Sequence, residues 1–461
     1  MWINDRGVVM SQVKADDNLL IEDLGGGLIL RRSSPTDARA LSDFNAKIHS
    51  DDGPDQPDER LAAWTSDLLE VPHPTFDPGD FTIVEDTSSG QIVSSSNLIS
   101  QTWSYAGIEF GVGRPELVGT HKDYRRRGLI RAQFDVLHQW SAGRGHQLQA
   151  ITGIPNFYRQ FGYEMAIDLG GGRYGYSPQI PKLKKDEGEP YSIRPAKEAD
   201  ILFIDDLFKQ AAKRYLVNCL WDEVLWRYEL NGKSENNIQR SDIRIIEKED
   251  GERVGFFAHS TGNWANGAKL PAYRYEIKPG LSWAEVTPSV VRYLQSIGVS
   301  RAEKLEKEPF GAFGFWLGSQ HPVYEVMRDG LPNVRKPYAW YIRVPDLPGF
   351  LEHITPVLEG KLAESPYDGH TGELKITFYR NGLKLSFDRG KLQVETWEPT
   401  PYGHSGDVAF PDLTFTQLLF GYRSLEELDY AFADCWCGND TARGLMNTIF
   451  PKQPSSIWPI A

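Results

Sequence analysis

Three features of the sequence predict an α+β (mixed α/β) chain made of two copies of one fold followed by a third, sheet-and-helix block. The first is a strand around Val118 that runs through Arg125-Arg126-Arg127-Gly128 into an amphipathic helix. The second is an internal echo. Leu30-Arg31-Arg32-Ser33-Ser34-Pro35-Thr36-Asp37 and Ile193-Arg194-Pro195-Ala196-Lys197-Glu198-Ala199-Asp200 each open an apolar helix, at an offset of about 160 residues. Near the same offset, His321-Pro322-Val323-Tyr324 through Gly330 echoes Pro155 through Gly162. The third is a change of periodicity after Pro345, where apolar and polar residues alternate. A length of 461 residues suits about three units of ~150 residues each.

The elements follow in chain order. Residues 1–26 read as a flexible N-terminal arm without the charged-then-apolar pattern of a signal peptide. The first unit is drawn over 27–180. It contains the acidic segment Asp51-Asp52-Gly53-Pro54-Asp55-Gln56-Pro57-Asp58-Glu59, then Glu116, Val118, Gly119 and Thr120 on the strand. In the turn that follows, helix-start NH groups point outward, the helix dipole favours negative charge, and three arginines reinforce both. Such a turn suits a phosphate-bearing cofactor. Leu129, Ile130, Phe134, Leu137 and Trp140 recur at helical spacing, and Gly143 and Gly145 stop the helix. A short strand is expected at 148–152, and a second helix from Pro155, suited to a first turn, to Gly162, suited to an end. Gly170-Gly171-Gly172 and a Pro- and Lys-rich connection over 177–190 close the unit.

The second unit is drawn over 190–344. Its counterpart of the phosphate turn is expected at 285–293, where Pro288 and Ser289 stand and no Arg-x-x-Gly occurs, so this copy is expected to bind no cofactor. The third unit, 345–461, opens with an antiparallel meander. Leu374, Ile376 and Phe378 alternate, Asn381-Gly382 marks a two-residue turn, Leu383, Leu385 and Phe387 alternate again, and Arg389-Gly390 leads to Leu392 and Val394. A helix pair follows over 414–420 and from Ser424, where Ser424 and Glu427 form a capping box.

Composition narrows the function classes. No apolar run reaches the ~18 residues of a membrane span. Cys219, Cys435 and Cys437 are too few for a disulfide framework, and no second Cys or His pair stands at zinc spacing, so reduced cytoplasmic thiols and no metal are expected. A formal net charge of −13 argues against nucleic acid and suits cationic substrates.

The order of strand, Arg-x-x-Gly turn, helix, strand and Phe157-Tyr158-x-x-x-Gly162-Tyr163 resembles the GNAT superfamily of acyl-coenzyme A N-acyltransferases. The resemblance implies acetyl-CoA as cosubstrate. It makes Arg125, Arg126, Arg127, Gly128, Leu129 and Ile130 the pyrophosphate loop, Val118, Gly119 and Thr120 the pantetheine strand, and Tyr158 the acid beside the thiol. The family usually has glycine or alanine where this chain has Ile130. With Gln417-Leu418-Leu419-Phe420-Gly421-Tyr422-Arg423 and Ile449-Phe450-Pro451, the whole chain is similar to enhanced-intracellular-survival (Eis) type acetyltransferases. That likeness implies tandem GNAT folds, a C-terminal domain like sterol carrier protein type two, and a homo-oligomer, a hexamer. In that type the terminal carboxylate serves as base, a role that falls on Ala461 in Ile457-Trp458-Pro459-Ile460-Ala461.

Several assignments keep two readings. Tyr158 is the proton donor to the thiolate or a core tyrosine between Phe157 and Phe161. Glu116 shares strand parity with Val118 and Thr120 and is a base for the amine or a salt-bridged strand carboxylate. The acidic segment attracts polycations or is a solvated loop. For the whole chain, an amine N-acetyltransferase stands against a non-catalytic protein that holds coenzyme A or an apolar ligand.

Overall fold

The computed structural model of the protein describes residues 19–304, 308–400, 405–411 and 413–459. Among these residues, three sheets carry the fold. The first runs in the order Leu20–Gly25, Leu28–Arg32, Phe81–Asp86, Gln91–Tyr105, Ile108–Thr120, Leu148–Ile151, Tyr338–Arg343 and Glu164–Leu169, with Val217–Cys219 paired to the far end of Gln91–Tyr105. Its centre is a long antiparallel hairpin closed by Ala106 and Gly107, both at positive φ, the backbone of a two-residue turn that matches strand twist. Successive side chains on a strand face opposite ways, and the core divides accordingly. Ile83 packs with Leu41, Trp64 and Leu68 under the helices Ala38–Ile48 and Glu59–Glu70, whereas Val84 packs with Leu129 and Val136 of the helix Leu129–Gly143.

The second sheet runs Asn333–Arg335, Gly172–Tyr176, Ala312–Phe315, Lys269–Ile277, Arg253–Ser260, Ser241–Glu247 and Ser192–Pro195. The two sheets exchange a strand. Tyr338–Arg343 lies between Leu148–Ile151 and Glu164–Leu169 of the first sheet, and Gly172–Tyr176 lies between Ala312–Phe315 and Asn333–Arg335 of the second. The two crossing links meet at a glycine run. Gly170, Gly171 and Gly172 all have positive φ, and a Cβ on Gly171 would stand 2.8 Å from Cβ of Pro337.

The third sheet runs Lys391–Trp397, Gly382–Asp388, Gly372–Thr377, Val408–Ala409 and Trp436–Cys437. Helices Leu347–His353 and Thr355–Ala363 pack against it. Phe110 meets Phe350 edge-on at 5.3 Å and Tyr105 donates to the carbonyl of Leu419 at 2.9 Å, so its core is continuous with that of the first sheet. Cys219 and Cys435 are buried, Cys437 is half-buried, and all three are free thiols. No helix among the described residues is long and apolar enough to cross a membrane.

Four local expectations differ from the structure. Leu20–Gly25, inside the expected arm, is a strand, because Gly25, Gly26 and Gly27 at positive φ fold it back onto Leu28–Arg32. Residues 285–293 lie within the helix Trp283–Lys304. The turn before that helix is 278–282, because the second unit joins strand to helix by a shorter connection. The segment from Pro155 holds one 3-10 turn, Tyr158–Phe161, rather than a longer helix, since Gly153 and Asn156 bend the chain ahead of it. In the meander the first turn falls at 378–381, with Tyr379 at positive φ, because Gly382 already pairs with Thr377.

Candidate active site

The site begins with a strand that loses its neighbour. Ile108–Thr120 pairs in parallel with Leu148–Ile151 at Val112–Leu148 and Gly113–Gln149 and nowhere else, so from Arg114 onward one edge of the strand faces a gap. On its other edge a bulge intervenes, Ser95 pairing Gly119 and Asn97 pairing Glu116, with Leu117 at φ 49°. A bulge re-aims the side chains beside it. Glu116 Oε1 accepts from Arg114 Nη2 at 2.6 Å and from Thr152 Oγ1 at 3.4 Å, a contact reaching toward the end of the departed strand. Its second oxygen, Oε2, has no protein partner among the described residues.

The turn after the strand is open to solvent. Arg125, Arg126, Arg127 and Gly128 are exposed, Arg126 and Gly128 take φ 64° and 80°, and no side chain caps Gly128 at the start of Leu129–Gly143. Arg125 Nε donates to the carbonyl of Thr120 at 3.3 Å, and Arg127 donates to the carbonyl of Asp123 and lies over the ring of Tyr124. Tyr124 donates to Asp86, whose carboxyl is held down to about 2 by Ser88 first and then by Tyr124. The helix start is fixed from below by a buried chain in which Gln133 donates to Thr82, Ser94 donates to Gln133, and Ser94 and Thr120 share a 2.8 Å bond. Gly119 carries no side chain because Ile48 occupies the space, 2.5 Å from where a Cβ would be.

Tyr158 closes the gap. It is 4% exposed, its ring packs with Phe134, Phe157 and Tyr341, and it belongs to one cluster with Val118 and Ile130. Its hydroxyl makes no hydrogen bond among the described residues and lies beside Gly153, where a Cβ would be 3.3 Å away. Burial, then the charge of Glu116, pushes the Tyr158 phenol well above its ordinary range. The phenol therefore stays protonated at neutral pH. The structure thus brings Glu116, Val118, Ile130 and Tyr158 together at the end of an open turn. Leu129 instead turns into the core with Leu28 and Val84.

Sequence reasoning missed Arg114, Tyr338 and Tyr341. Tyr338 donates to the carbonyl of Gly153 at 2.7 Å and Tyr341 accepts from the NH of Asn156 at 2.6 Å, so the exchanged strand holds the turn that carries Tyr158. No local pattern marks residues that arrive from the second half of the chain. Arg114 was within reach, as the strand neighbour of Glu116 two residues away. Ala461 lies outside the described residues. The segment before it is held in place: Ser456 donates to the carbonyl of Val217, Trp221 donates to that of Trp458, and Trp458 stacks on Trp221 at 4.9 Å. Asp51, Asp52 and Asp55 are exposed, just after Ile48, and Asp58 caps the helix Glu59–Glu70. No group of residues able to hold a metal occurs among those described.

Known proteins resemble this chain in sequence over part of its length and in fold over nearly all of it. Residues 53–166 match the family model described as acetyltransferase (GNAT) domain. No curated protein sequence matches the chain. Similar solved structures include a conserved protein of unknown function from Enterococcus faecalis V583, at 15% identity and TM-score 0.63, covering 94% of this chain and 100% of that one. A GCN5-related N-acetyltransferase from Kribbella flavida is 19% identical with TM-score 0.59, covering 93% and 97%. Eis1 from Mycobacterium abscessus is 14% identical with TM-score 0.54, covering 93% and 99%. At these identities the likeness is one of fold, and it extends along nearly the whole chain. With the GNAT domain in its first part, the protein is an acyltransferase.

Proposed function

We propose that the protein transfers the acetyl group of acetyl-CoA to a primary amine of a cationic small molecule or a lysine side chain. The observation that carries this reading is the convergence on one gap of a free strand edge, an uncapped arginine turn, an open oxygen of Glu116 and the unpartnered hydroxyl of Tyr158. The residues fit the cosubstrate. Exposed NH groups and the guanidinium groups of Arg125, Arg126 and Arg127 suit a pyrophosphate, and the free edge at Val118 and Thr120 suits the amides of a pantetheine arm.

In this mechanism Glu116 Oε2 takes a proton from the incoming ammonium. An amine with an ordinary pKa near ~10.4 is otherwise almost wholly protonated at pH 7. The amine nitrogen attacks the thioester carbonyl, whose oxygen is met by a backbone NH of the free strand edge. As the C–S bond breaks, Tyr158 gives its proton to the departing thiolate sulfur, and the second proton shed by the nitrogen as it becomes an amide restores the phenol. The exposed Asp51, Asp52 and Asp55 favour a polycationic acceptor. We read the organisation as units over 27–180, 190–344 and 345–461, the first two GNAT-like and each completed by a strand of the other, with the last like a sterol carrier protein.

A thiol-release assay with acetyl-CoA against polyamines, aminoglycosides and lysine peptides tests the proposal. Amine-dependent thiol release is expected. Stoichiometric acetyl-CoA binding without release for any amine would make the protein a non-catalytic binder.

A further inference from the structure

The two exchanged strands occupy matching places in their sheets, and one matching position differs in chemistry. Tyr341 pairs with Ile151 in the first sheet, and Arg173 pairs with Phe315 in the second. The ring of Tyr341 meets Tyr158 at 5.7 Å, and the guanidinium of Arg173 lies over the ring of Tyr324 at 5.8 Å. In the first sheet this strand braces the neighbouring turn, Tyr341 accepting from the NH of Asn156 and Tyr338 donating to the carbonyl of Gly153. In the second sheet Gly170 stands three residues before Arg173, as Tyr338 does before Tyr341, and brings no side chain.

Beside Arg173 and Tyr324 lies a hollow of about 780 Å³, mouth included. Arg214 and Pro454 form further walls, and the exposed Ser319 and Gln320 line it as well. Arg173 is half-buried, and its side chain makes no hydrogen bond or ion pair among the described residues. An arginine withdrawn from solvent is ordinarily matched to an acid, whereas Arg173 is matched to a ring and to open space. Arg214 bonds Glu276 at 2.5 Å and also Tyr215, which leaves part of its five-donor fork unused. The acid on these walls, Glu325, is 75% exposed and tied to Arg328 at 2.9 Å. Acyl transfer does not suit the hollow. The Tyr324 hydroxyl is already bonded to the carbonyls of Phe315 and Gly318 and to the NH of Leu317, and the turn 278–282 contains no arginine.

We propose that this hollow is a second ligand site, taking a small organic dianion, a dicarboxylate or a phosphate ester. One anionic group lies against the planar fork of Arg173, and the second negative charge is met by the remaining donors of Arg214. The amide of Gln320 offers a further donor. The site is independent of the acyl-transfer reading. It adjoins the C-terminal segment, since Pro454 forms one wall.

Calorimetry on the full chain with succinate, L-malate, glycerol 3-phosphate, phosphoserine and acetate tests this, and the first four distinguish dicarboxylate from phosphate ester. One saturable site per chain is expected, with at least one dianion bound tenfold or more tighter than acetate. Arg173→Gln breaks no bond within the protein and should weaken that dianion at least tenfold. Gln320→Glu, which sets a negative charge on an exposed wall of the hollow, should do the same. Binding should persist when Arg125 and Arg127 are both replaced by Glu. Folding of each variant is checked by circular dichroism and urea unfolding; if Arg173→Gln does not fold, Gln320→Glu decides alone. No saturable binding of any dianion, or acetate bound as tightly as all of them, would overturn the proposal. So would binding undiminished in the folded Arg173 and Gln320 variants, or binding lost on reversing Arg125 and Arg127, which would place the anion at the arginine turn.

Discussion

Replacing Tyr158 by Phe removes a single oxygen whose surroundings allow the effect to be worked out in advance. The hydroxyl has no hydrogen-bond partner among the described residues, so its loss orphans no donor or acceptor. The ring contacts, at 5.9 Å to Phe134, 5.1 Å to Phe157 and 5.7 Å to Tyr341, are those of a phenyl group and survive. Folding stability should therefore change by less than ~1 kcal/mol. Turnover should fall by ~10²–10⁴, equivalent to about 2.7–5.4 kcal/mol of transition-state stabilisation, because the thiolate must then leave without its proton donor. Since burial and Glu116 keep the phenol protonated, the loss should be the same factor at pH 6 and pH 9. The checks are kcat and KM for acetyl-CoA by thiol release, with urea unfolding of the same preparations. A kcat within twofold of the parent would make Tyr158 a core residue. A drop in kcat accompanied by an equal loss of acetyl-CoA affinity or of stability would assign it a packing role.

Reversing Arg125 and Arg127 to Glu together should abolish acetyl-CoA binding, which calorimetry should otherwise find at one site per chain; two equivalent sites would contradict a second unit without the arginine turn. Glu116→Gln keeps the Thr152 contact but removes the base, so kcat should fall at least ~10²-fold across the neutral range, and retained activity would pass the role to another group. Gly171→Ala places a methyl group 2.8 Å from Pro337 at a positive φ and should cost about 1–3 kcal/mol in urea unfolding, whereas an unchanged midpoint would mean that the crossing links yield. Burial, then the charges of Arg343 and Arg144, depresses His138 and His146 to about 4 in the folded state. Each is protonated in the unfolded chain below about 6.5 but remains neutral when folded, so stability is complete above pH 6.5 and lost as pH falls toward 4. Unfolding midpoints flat over that window would contradict those environments.

What was legible in the sequence is what neighbours along the chain determine. The arginine turn, its helix and the Ser424–Glu427 capping box rest on spacings of a few residues, and they stand where those spacings put them. The internal echo was legible in its two openings, each of which leads into a helix, Ala38–Ile48 and Ile201–Ala212. Its connections were not, because a shorter link between strand and helix moved the second turn to 278–282. Nor was the strand exchange, since Tyr338–Arg343 is as good a strand for one sheet as for the other. Only the crossing at Gly170-Gly171-Gly172 decides where it goes, and along the sequence three glycines mark the end of a unit as readily as a crossing.

The exchange bears on what the second half of the chain contributes to the proposed site. Tyr338 and Tyr341 bond the backbone of Gly153 and Asn156, the bend from which Tyr158 projects, and both arrive on a strand whose preceding segment, Asn333–Arg335, belongs to the second sheet. Without that strand, Leu148–Ile151 and Glu164–Leu169 would present unpaired edges on either side of the bend, and the Tyr158 ring would lose the face it shares with Tyr341. The position of the proposed proton donor thus depends on the folding of the second half of the chain. Arg114 joins the two halves by a second route, pairing with Glu116 while lying 5.4 Å from the ring of Trp340 on the exchanged strand. A cleft whose proposed base and acid are both braced by Tyr338–Arg343 gives the second half of the chain a structural role in the proposed chemistry.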